Sequence, residues 1–233
     1  MRFLARIFLQ VICSVIVAGF CTPVVAGIII AGTRVIYPSS VKEVSVKLNN
    51  AGKQPVLIQS WIDTGDIHAK PAAIQVPFIL TPPINRVESG KGQTLRISYT
   101  GETLPSNKES VFWLNVLEIP SKGQGKLAEN RLQVAFRTRI KFFYRPAGLD
   151  GKANDAPDAI IWQAKGQSIL ALNPTPYFVS FVSLSVNGKR IEGDMVSPYS
   201  SLTLALPGNI GNKITGEYIN DYGAANKFET TLK

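Results

Sequence analysis

The most constraining feature of the sequence is a strict alternation of bulky apolar residues with smaller or polar ones in the segment Asn130–Pro146. Leu132, Val134 and Phe136 occupy every second position. A period of two places these side chains on one face of an extended chain, so the segment is predicted to be a β-strand. The strand continues into a cationic and aromatic run that contains Lys141. Such a strand could pair with the open sheet edge of another protein.

Short apolar or alternating runs recur along the chain, and no long segment carries apolar residues at helical spacing. The runs are Ile28–Ile36, Val44–Leu48, Val56–Ile62, Thr94–Ser98, Val111–Glu118, Leu132–Tyr144, Ile169–Leu172, Tyr177–Val186, Ser201–Leu206, Lys213–Tyr218 and Lys227–Leu232. Gly, Pro, Asn and Asp separate them. Many short strands with regular turn signals are typical of antiparallel β-sandwiches. We therefore predict an all-β protein of two sandwich domains.

A segment dominated by Gly, Asp, Asn, Ala and Pro, Pro146–Pro157, separates the two sets of runs. This composition is typical of a domain boundary. We predict a first domain at residues 27–147 and a second at residues 148–233. Because the connection is short, we expect the domains to sit at a fixed angle with a cleft between them.

The N-terminus has the composition of a secretory signal peptide. Arg2 and Arg6 precede an apolar stretch, Ile7–Phe20, that is too short for a comfortable membrane span. Val24 and Ala26 fit the small-residue cleavage pattern, so residues 1–26 are predicted to be removed on export to the periplasm. The mature chain should then have no stable membrane insertion. Lipidation within this segment, or an uncleaved anchor, is the alternative.

Cysteine content and charge restrict the kinds of site and partner that we expect for the chain. Cys13 and Cys21 both lie in the predicted signal, so the mature chain has no disulfide and no thiolate metal site. Removing 26 residues from 233 leaves 207, with 23 Lys and Arg against 16 Asp and Glu, a net charge of +7. The basic residues are dispersed and the chain is exported. We therefore predict no nucleic-acid partner and a preference for an acidic or anionic one.

The residues of common catalytic sites are missing or out of context. His68 is the sole histidine and lies in a polar stretch, Asp63–Lys70, that we predict to be a loop. One histidine without mature cysteines cannot form the usual zinc sites, and no G-x-S-x-G motif occurs. Gly123 and Gly125 lack the strand-turn-helix context of a dinucleotide fingerprint. The sequence alone does not exclude a pair of carboxylates placed for glycoside hydrolysis, because it does not give their separation in space. We nevertheless predict that the protein is not an enzyme and uses no cofactor or metal.

Several short motifs occur in a specific order along the chain. They are Thr33-Arg34-Val35, Thr81-Pro82-Pro83 with Arg86, Glu109-Ser110-Val111-Phe112-Trp113, Glu118-Ile119-Pro120, Lys141-Phe142-Phe143-Tyr144-Arg145-Pro146, Asn173-Pro174-Thr175-Pro176-Tyr177 and Ile219-Asn220-Asp221-Tyr222-Gly223. Together they resemble the periplasmic pilus chaperones of the chaperone–usher pathway, the PapD-like family, over essentially the whole mature chain. The resemblance implies two immunoglobulin-like β-sandwich domains, arranged as an L or boomerang with a binding cleft between them.

The resemblance also implies a function. The clients would be pilin subunits with an incomplete immunoglobulin-like fold, which the chain stabilises by donor-strand complementation and delivers to the outer-membrane usher. Arg34 and Lys141 match the family's cleft cations that bind the client's C-terminal carboxylate. Leu132, Val134 and Phe136 match the alternating residues that fill the client's groove.

Further expectations come from the same resemblance. Glu109, Arg145 and Asp221 match an interdomain charge network. The loop at residues 121–130 is short and the mature chain lacks cysteines, as in the short-loop branch, whose clients form rod-like pili. Exchange of the client onto a neighbouring subunit's strand would supply the driving force, so no ATP is expected. Whether the client-free chain self-associates through its apolar strand stays open.

The positions of the proposed binding residues raise a question of geometry. Lys141 has odd parity, whereas Leu132, Val134 and Phe136 are even, and an ideal strand sends odd and even residues to opposite faces. We therefore expect a bulge or a strong twist between Phe136 and Ile140.

Two other functions remain open on the residues alone. A structural fimbrial subunit usually has one domain and a disulfide, and a periplasmic carbohydrate-binding sandwich protein should show an aromatic or acidic pocket. Without the resemblance, the alternation of Leu132, Val134 and Phe136 would indicate only the inner face of a sandwich strand. Arg34 and Lys141 would by default be solvated surface charges.

Overall fold

The computed structural model describes residues 27–120 and 134–233, and these residues fold mainly into β-strands. The prediction of an all-β, two-domain protein is confirmed. Short 3-10 turns occur at Pro71–Ala73 and Ala153–Ala159. Leu132 and the segment 121–130 lie outside the described residues. Within the described part of the chain, no helix is both long and apolar enough to traverse a bilayer.

The first domain is a sandwich of two sheets. Its strands are β1 (Ile28–Ile30), β2 (Arg34–Pro38), β3 (Glu43–Asn50), β4 (Val56–Asp63), β5 (Phe78–Thr81), β6 (Ile84–Val87), β7 (Gly92–Tyr99), β8 (Ser110–Pro120) and β9 (Phe136–Arg145). One sheet has the order β1-β3-β7-β5 and the other the order β2-β9-β8-β4-β6. All neighbouring strands are antiparallel except β2 and β9, which are parallel.

Alternating residues of both sheets form the first core. Leu95 of one sheet and Leu114 of the other are fully buried, as expected where the inner faces of two sheets meet. Phe142 of β9 lies among aromatic rings, with its centroid 4.8 Å from Phe78 and 6.0 Å from Tyr37. The second half of β9 is therefore held by the core of its own domain.

The second domain is also a sandwich. Its strands are β10 (Ile161–Ala164), β11 (Ile169–Asn173), β12 (Val179–Val186), β13 (Lys189–Glu192), β14 (Met195–Val196), β15 (Ser200–Leu204), β16 (Lys213–Ile219) and β17 (Ala225–Thr231). One sheet has the order β10-β11-β15, and the other β13-β12-β16-β17 with β14 also on β12. Trp162 is buried between them and stacks on Phe228 with ring centroids 5.7 Å apart.

The run Ile28–Ile36, predicted as one strand, is divided between the two sheets of the first domain. β1 pairs with β3 in one sheet, whereas β2 pairs with β9 in the other. Gly32 lies between them with φ at +113°, a conformation that other residues rarely adopt. This break lets the chain cross the sandwich, and it places Arg34 at the start of β2 beside β9.

Candidate functional site

Arg34 and Lys141 are direct neighbours on the parallel strands β2 and β9. Both side chains reach the second domain. The Arg34 Nη1 donates a hydrogen bond of 3.0 Å to the carbonyl oxygen of Ile219. The Lys141 Nζ donates one of 3.0 Å to the Ser180 Oγ. The structure therefore brings the two predicted cleft cations together at the junction of the domains.

Neither of these two cations has a carboxylate in direct contact within residues 27–120 and 134–233. Burial lowers the pKa of Lys141 from its ordinary value, and the charge of Arg34 lowers it further. Burial also lowers the pKa of Arg34, although Asp221 and Glu109 oppose this through space. The buried Nε of Arg34 has no hydrogen-bond acceptor among the described residues. Two partly buried positive charges therefore form a site for an anion.

An open cavity of about 320 Å³ lies over this pair of cations. Its walls come from both domains, with Thr33 on one side and Gly223 on the other. The Thr33 Oγ1 donates to the Gly223 carbonyl oxygen at 3.5 Å. The cavity can accept a chain end or a small anionic group. Among the described residues there is no cluster of three or more metal-ligating side chains.

Strand β9 has one unpaired side over its first half. Residues 141–145 pair with both β2 and β8, whereas residues 136–140 pair with β8 and with no other described strand. We call residues 136–140 the free edge. Phe136 is 65% exposed and Val134 is 47% exposed. Both predicted groove-filling residues inside the described part of the chain are thus outside the core of their own domain.

No β-bulge lies between Phe136 and Ile140, so that part of the expectation is wrong, and the alternative of a strong twist stays a prediction. The pairing of β9 with β8 runs without a break from Glu118 opposite Phe136 to Ser110 opposite Tyr144. The face that carries Phe136 is the same face that enters the core at Phe142. The strand simply extends beyond the core, so the apolar residues emerge into solvent while Lys141 occupies the opposite face.

Glu109, Arg145 and Asp221 lie together between the domains. The Arg145 Nε donates to Glu109 Oε1 at 2.6 Å, and its two terminal nitrogens donate to Asp221 at 2.7 and 2.8 Å. Burial alone would lower the pKa of Arg145, but its hydrogen bonds to Asp221 and the charge of Glu109 raise this pKa above its ordinary value. Glu109 also accepts a 2.8 Å hydrogen bond from the backbone N–H of Phe178. These contacts join β8 and β9 to the second domain.

Asp63, Arg137 and Arg139 form a cluster that the sequence analysis missed. Asp63, placed at the start of a predicted loop, is the last residue of β4 and is 1% exposed. It contacts both arginines on the outer face of the five-stranded sheet. The odd parity that these arginines share with Lys141 is the signal that could have pointed to this face.

Models of known protein families match both domains. The pili and flagellar-assembly chaperone family, PapD N-terminal domain, matches residues 27–150. The pili assembly chaperone PapD, C-terminal domain, matches residues 155–230. The chain belongs to this family.

Individual relatives are other pilus-assembly chaperones. The probable fimbrial chaperone YadV of Escherichia coli K12 is 46% identical over 229 residues, which cover 92% of this chain and 93% of that protein. The chaperone protein FimB/FhaD of Bordetella pertussis is 40% identical and covers 99% of this chain and 98% of its own. These names do not favour a structural fimbrial subunit or a carbohydrate-binding protein.

Solved structures of family members have the same fold. The crystal structure of the YadV chaperone superimposes with a TM-score of 0.75 at 44% identity, covering 89% of this chain and 100% of that one. The SafB chaperone of Salmonella enterica, solved in complex with the SafA pilin, gives a TM-score of 0.78 at 28% identity. It covers 91% of this chain and 99% of that one.

Proposed function

We propose that the protein is a non-enzymatic periplasmic chaperone of pilus subunits. It binds a subunit whose immunoglobulin-like fold is incomplete, completes that fold with β9, and delivers the subunit to the outer-membrane usher. The observation that carries the proposal is the pair Arg34 and Lys141 at the end of the free edge, two cations that contact no carboxylate of residues 27–120 or 134–233. Membership of the pilus-assembly chaperone family supports it.

The cations Arg34 and Lys141 suit the C-terminal carboxylate of the client. A carboxylate taken out of water is costly unless opposite charge and hydrogen-bond donors replace the lost water. Arg34 supplies a guanidinium and Lys141 supplies an ammonium, and the two side chains start from paired positions of β2 and β9. Only the chain end carries this group, so binding it fixes the client's register. A register shift of one residue would turn every side chain of the client strand to the other face.

The free edge and its exposed apolar side chains suit the rest of the client strand. The unused backbone groups of residues 136–140 can form hydrogen bonds with an added strand, which is how β-strand addition gives affinity. Phe136 and Val134 would fill the groove left by the client's missing strand, with Leu132 as the third residue. Burying each such side chain contributes about 1.5–3 kcal/mol before the entropic cost of ordering.

The charge network of Glu109, Arg145 and Asp221 would keep the cleft in one shape. Four hydrogen bonds of 2.7–2.9 Å connect it to the second domain: two from Arg145 to Asp221, one from the Phe178 N–H to Glu109, and one from the Glu109 N–H to the Pro176 carbonyl oxygen. The 2.6 Å contact between Arg145 and Glu109 joins these residues within the first domain. A cleft of fixed shape holds the cations in place before the client arrives. The network is thus proposed as a scaffold and not as a client contact.

The proposal also covers the division of the chain into a signal and two domains, and the partners of the protein. Residues 1–26 would be the cleaved export signal, residues 27–147 the pilin-binding domain, and residues 148–233 the second domain. The short segment 121–130 would be that of the short-loop branch. The partners would be pilins and the usher, and no nucleic acid.

Co-purification from the periplasm tests the proposed function. A pilin that lacks its final strand should accumulate in a one-to-one complex with the wild-type chain and be degraded when the Arg34→Ala or Lys141→Ala variant replaces it. The matched control is Arg96→Ala, which removes an exposed arginine that pairs with Glu43 outside the cleft. Equal pilin levels with all four chains would refute the role of the two cations. Absence of any pilin complex with the wild-type chain would refute the chaperone function.

A further inference from the structure

The outer face of β9 is bound to the neighbouring strands by one buried carboxylate. Asp63 Oδ1 accepts a hydrogen bond from Arg139 Nη2 at 2.5 Å, and Asp63 Oδ2 lies 3.4 Å from Arg137 Nη2. Asp63 belongs to β4, two strands away from β9 in the same sheet. The carboxylate therefore spans β8 to hold two side chains of the free edge.

An amide on the intervening strand completes this connection. Asn115 of β8 donates to Asp63 Oδ2 at 2.8 Å and accepts hydrogen bonds from Arg137 Nε at 2.9 Å and Arg137 Nη2 at 2.7 Å. Arg137 also donates from Nη1 to the carbonyl oxygen of Ile67 at 2.7 Å. Side chains thus link three strands to one another and to the backbone of the segment after β4.

The two guanidinium groups are further confined by aromatic rings. The Arg137 guanidinium lies 5.0 Å from the ring centre of Trp61, and that of Arg139 lies 4.8 Å from the ring centre of Trp113. A cation within about 6 Å of a ring face is attracted to it. Each arginine is therefore held between a carboxylate and an indole ring.

This cluster lies on the part of β9 that has the fewest strand partners. Among the strands that the structure describes, the free edge has a backbone partner on one side only, and an edge segment with few hydrogen bonds opens easily. Arg137 and Arg139 are both in this segment, and beyond it β9 gains β2 as a second partner. Side-chain contacts thus replace the strand pairing that the free edge lacks.

We propose that Asp63 is a positioning residue that holds the free edge extended through Arg137 and Arg139, so that it is preformed for a client strand. This inference rests on the proposed function. Asp63 is too deeply buried to contact the client itself. Its effect is to reduce the conformational entropy that a client would otherwise have to remove from β9 on binding. The cluster thus favours fast association.

Hydrogen exchange of the client-free chain tests this role directly. In Asp63→Asn, which preserves side-chain size, amide exchange of residues 136–140 should accelerate about tenfold or more, while amides of β12 and β16 keep their rates. The matched control is Glu43→Gln, which removes a carboxylate from the exposed ion pair with Arg96. Unchanged exchange at residues 136–140, or an equal acceleration across the first domain, would overturn the proposal.

Client-binding kinetics provide the second readout. A purified pilin should associate with Asp63→Asn about five to tenfold more slowly, while its dissociation rate changes less, because the loss is one of preorganisation. If Asp63→Asn does not fold, Arg139→Gln in the folded chain should give the same local exchange and the same slower association. Failure of the wild-type chain to bind pilin would refute the proposed function. The hydrogen-exchange result would still test whether Asp63 holds the free edge in place.

Discussion

Phe136 and Lys141 project from opposite faces of one unbroken strand. The strand pairs with β8 throughout, so no irregularity turns one residue toward the other. On the proposed function, groove filling and carboxylate binding therefore use different sides of the same sheet. Substitutions at the two positions share no contact, and their effects on client affinity should add.

The client's C-terminus gives a direct test of the two cations. A pilin whose terminal carboxylate is converted to an amide should lose about 2–5 kcal/mol of binding free energy, as expected when one partner of a buried charge pair is removed. Lys141→Ala should cost a similar amount. Combining both changes should cost little more than either one. Titration calorimetry of the four combinations measures this, and full additivity would show that Lys141 does not contact the carboxylate.

The exposed apolar residues should affect binding without affecting folding. Phe136→Ala should weaken pilin binding by about 1.5–3 kcal/mol, since the side chain would be buried only in the complex. The free energy of unfolding should change by less than about 0.5 kcal/mol, as for other surface substitutions. Val134→Asp should weaken binding further. The control is Ile210→Ala, since Ile210 is 79% exposed but lies in the second domain. A large loss of stability in Phe136→Ala would contradict this assignment.

Client affinity should fall as the pH rises. Burial and the charge of Arg34 lower the pKa of Lys141 in the client-free chain. A bound carboxylate would raise this pKa again, so the complex takes up the proton that the free chain has lost. Because protons are taken up on binding, the association constant decreases as the pH rises from the lowered pKa upward. Dissociation constants measured between about pH 7 and 10 check this, and Lys141→Arg should flatten the profile because arginine stays charged.

Removing a charge from the interdomain network should destabilise the protein more than removing a charge from an exposed ion pair. Glu109→Gln leaves Arg145 partly buried with only Asp221 as a charged partner and should lower the free energy of unfolding by about 3–5 kcal/mol. The comparison variant is Glu229→Gln, which breaks the exposed pair with Lys213 and should cost at most about 1 kcal/mol. Urea denaturation of the two variants measures the difference. Equal costs would show that the partly buried pair of Glu109 and Arg145 contributes no more than a surface pair.

The strand content of the chain was predictable because short alternating or apolar runs are a local signal. The segment of β9 begins with alternating residues, the segment of β8 is a nearly continuous apolar run, and both were predicted as strands. The crossing of the chain between sheets at Gly32 was not, because an apolar run reads the same in either sheet. The absence of a bulge in β9 also could not be predicted, since the sequence does not show where the core ends along a strand.

The candidate site depends on contacts between distant parts of the chain. Asp63 lies 74 and 76 residues from Arg137 and Arg139, and no local pattern connects them. Arg34 and Lys141 could be predicted from their resemblance to family motifs but not from their spacing. That no carboxylate of the described residues contacts them depends on the positions of all the side chains around them, which no sequence pattern gives.

The parallel pairing of β2 with β9 determines the direction in which a client can lie. β2 occupies the edge of β9 from Lys141 onward, so a client strand ending between Arg34 and Lys141 must run along residues 136–140 in the same direction as β9. Parallel pairing is slightly less stable per residue than antiparallel pairing. On the proposed function, a pilin held in this way would be bound less firmly per residue than by an antiparallel strand, so that exchange of β9 for a strand of the next subunit would need no nucleotide.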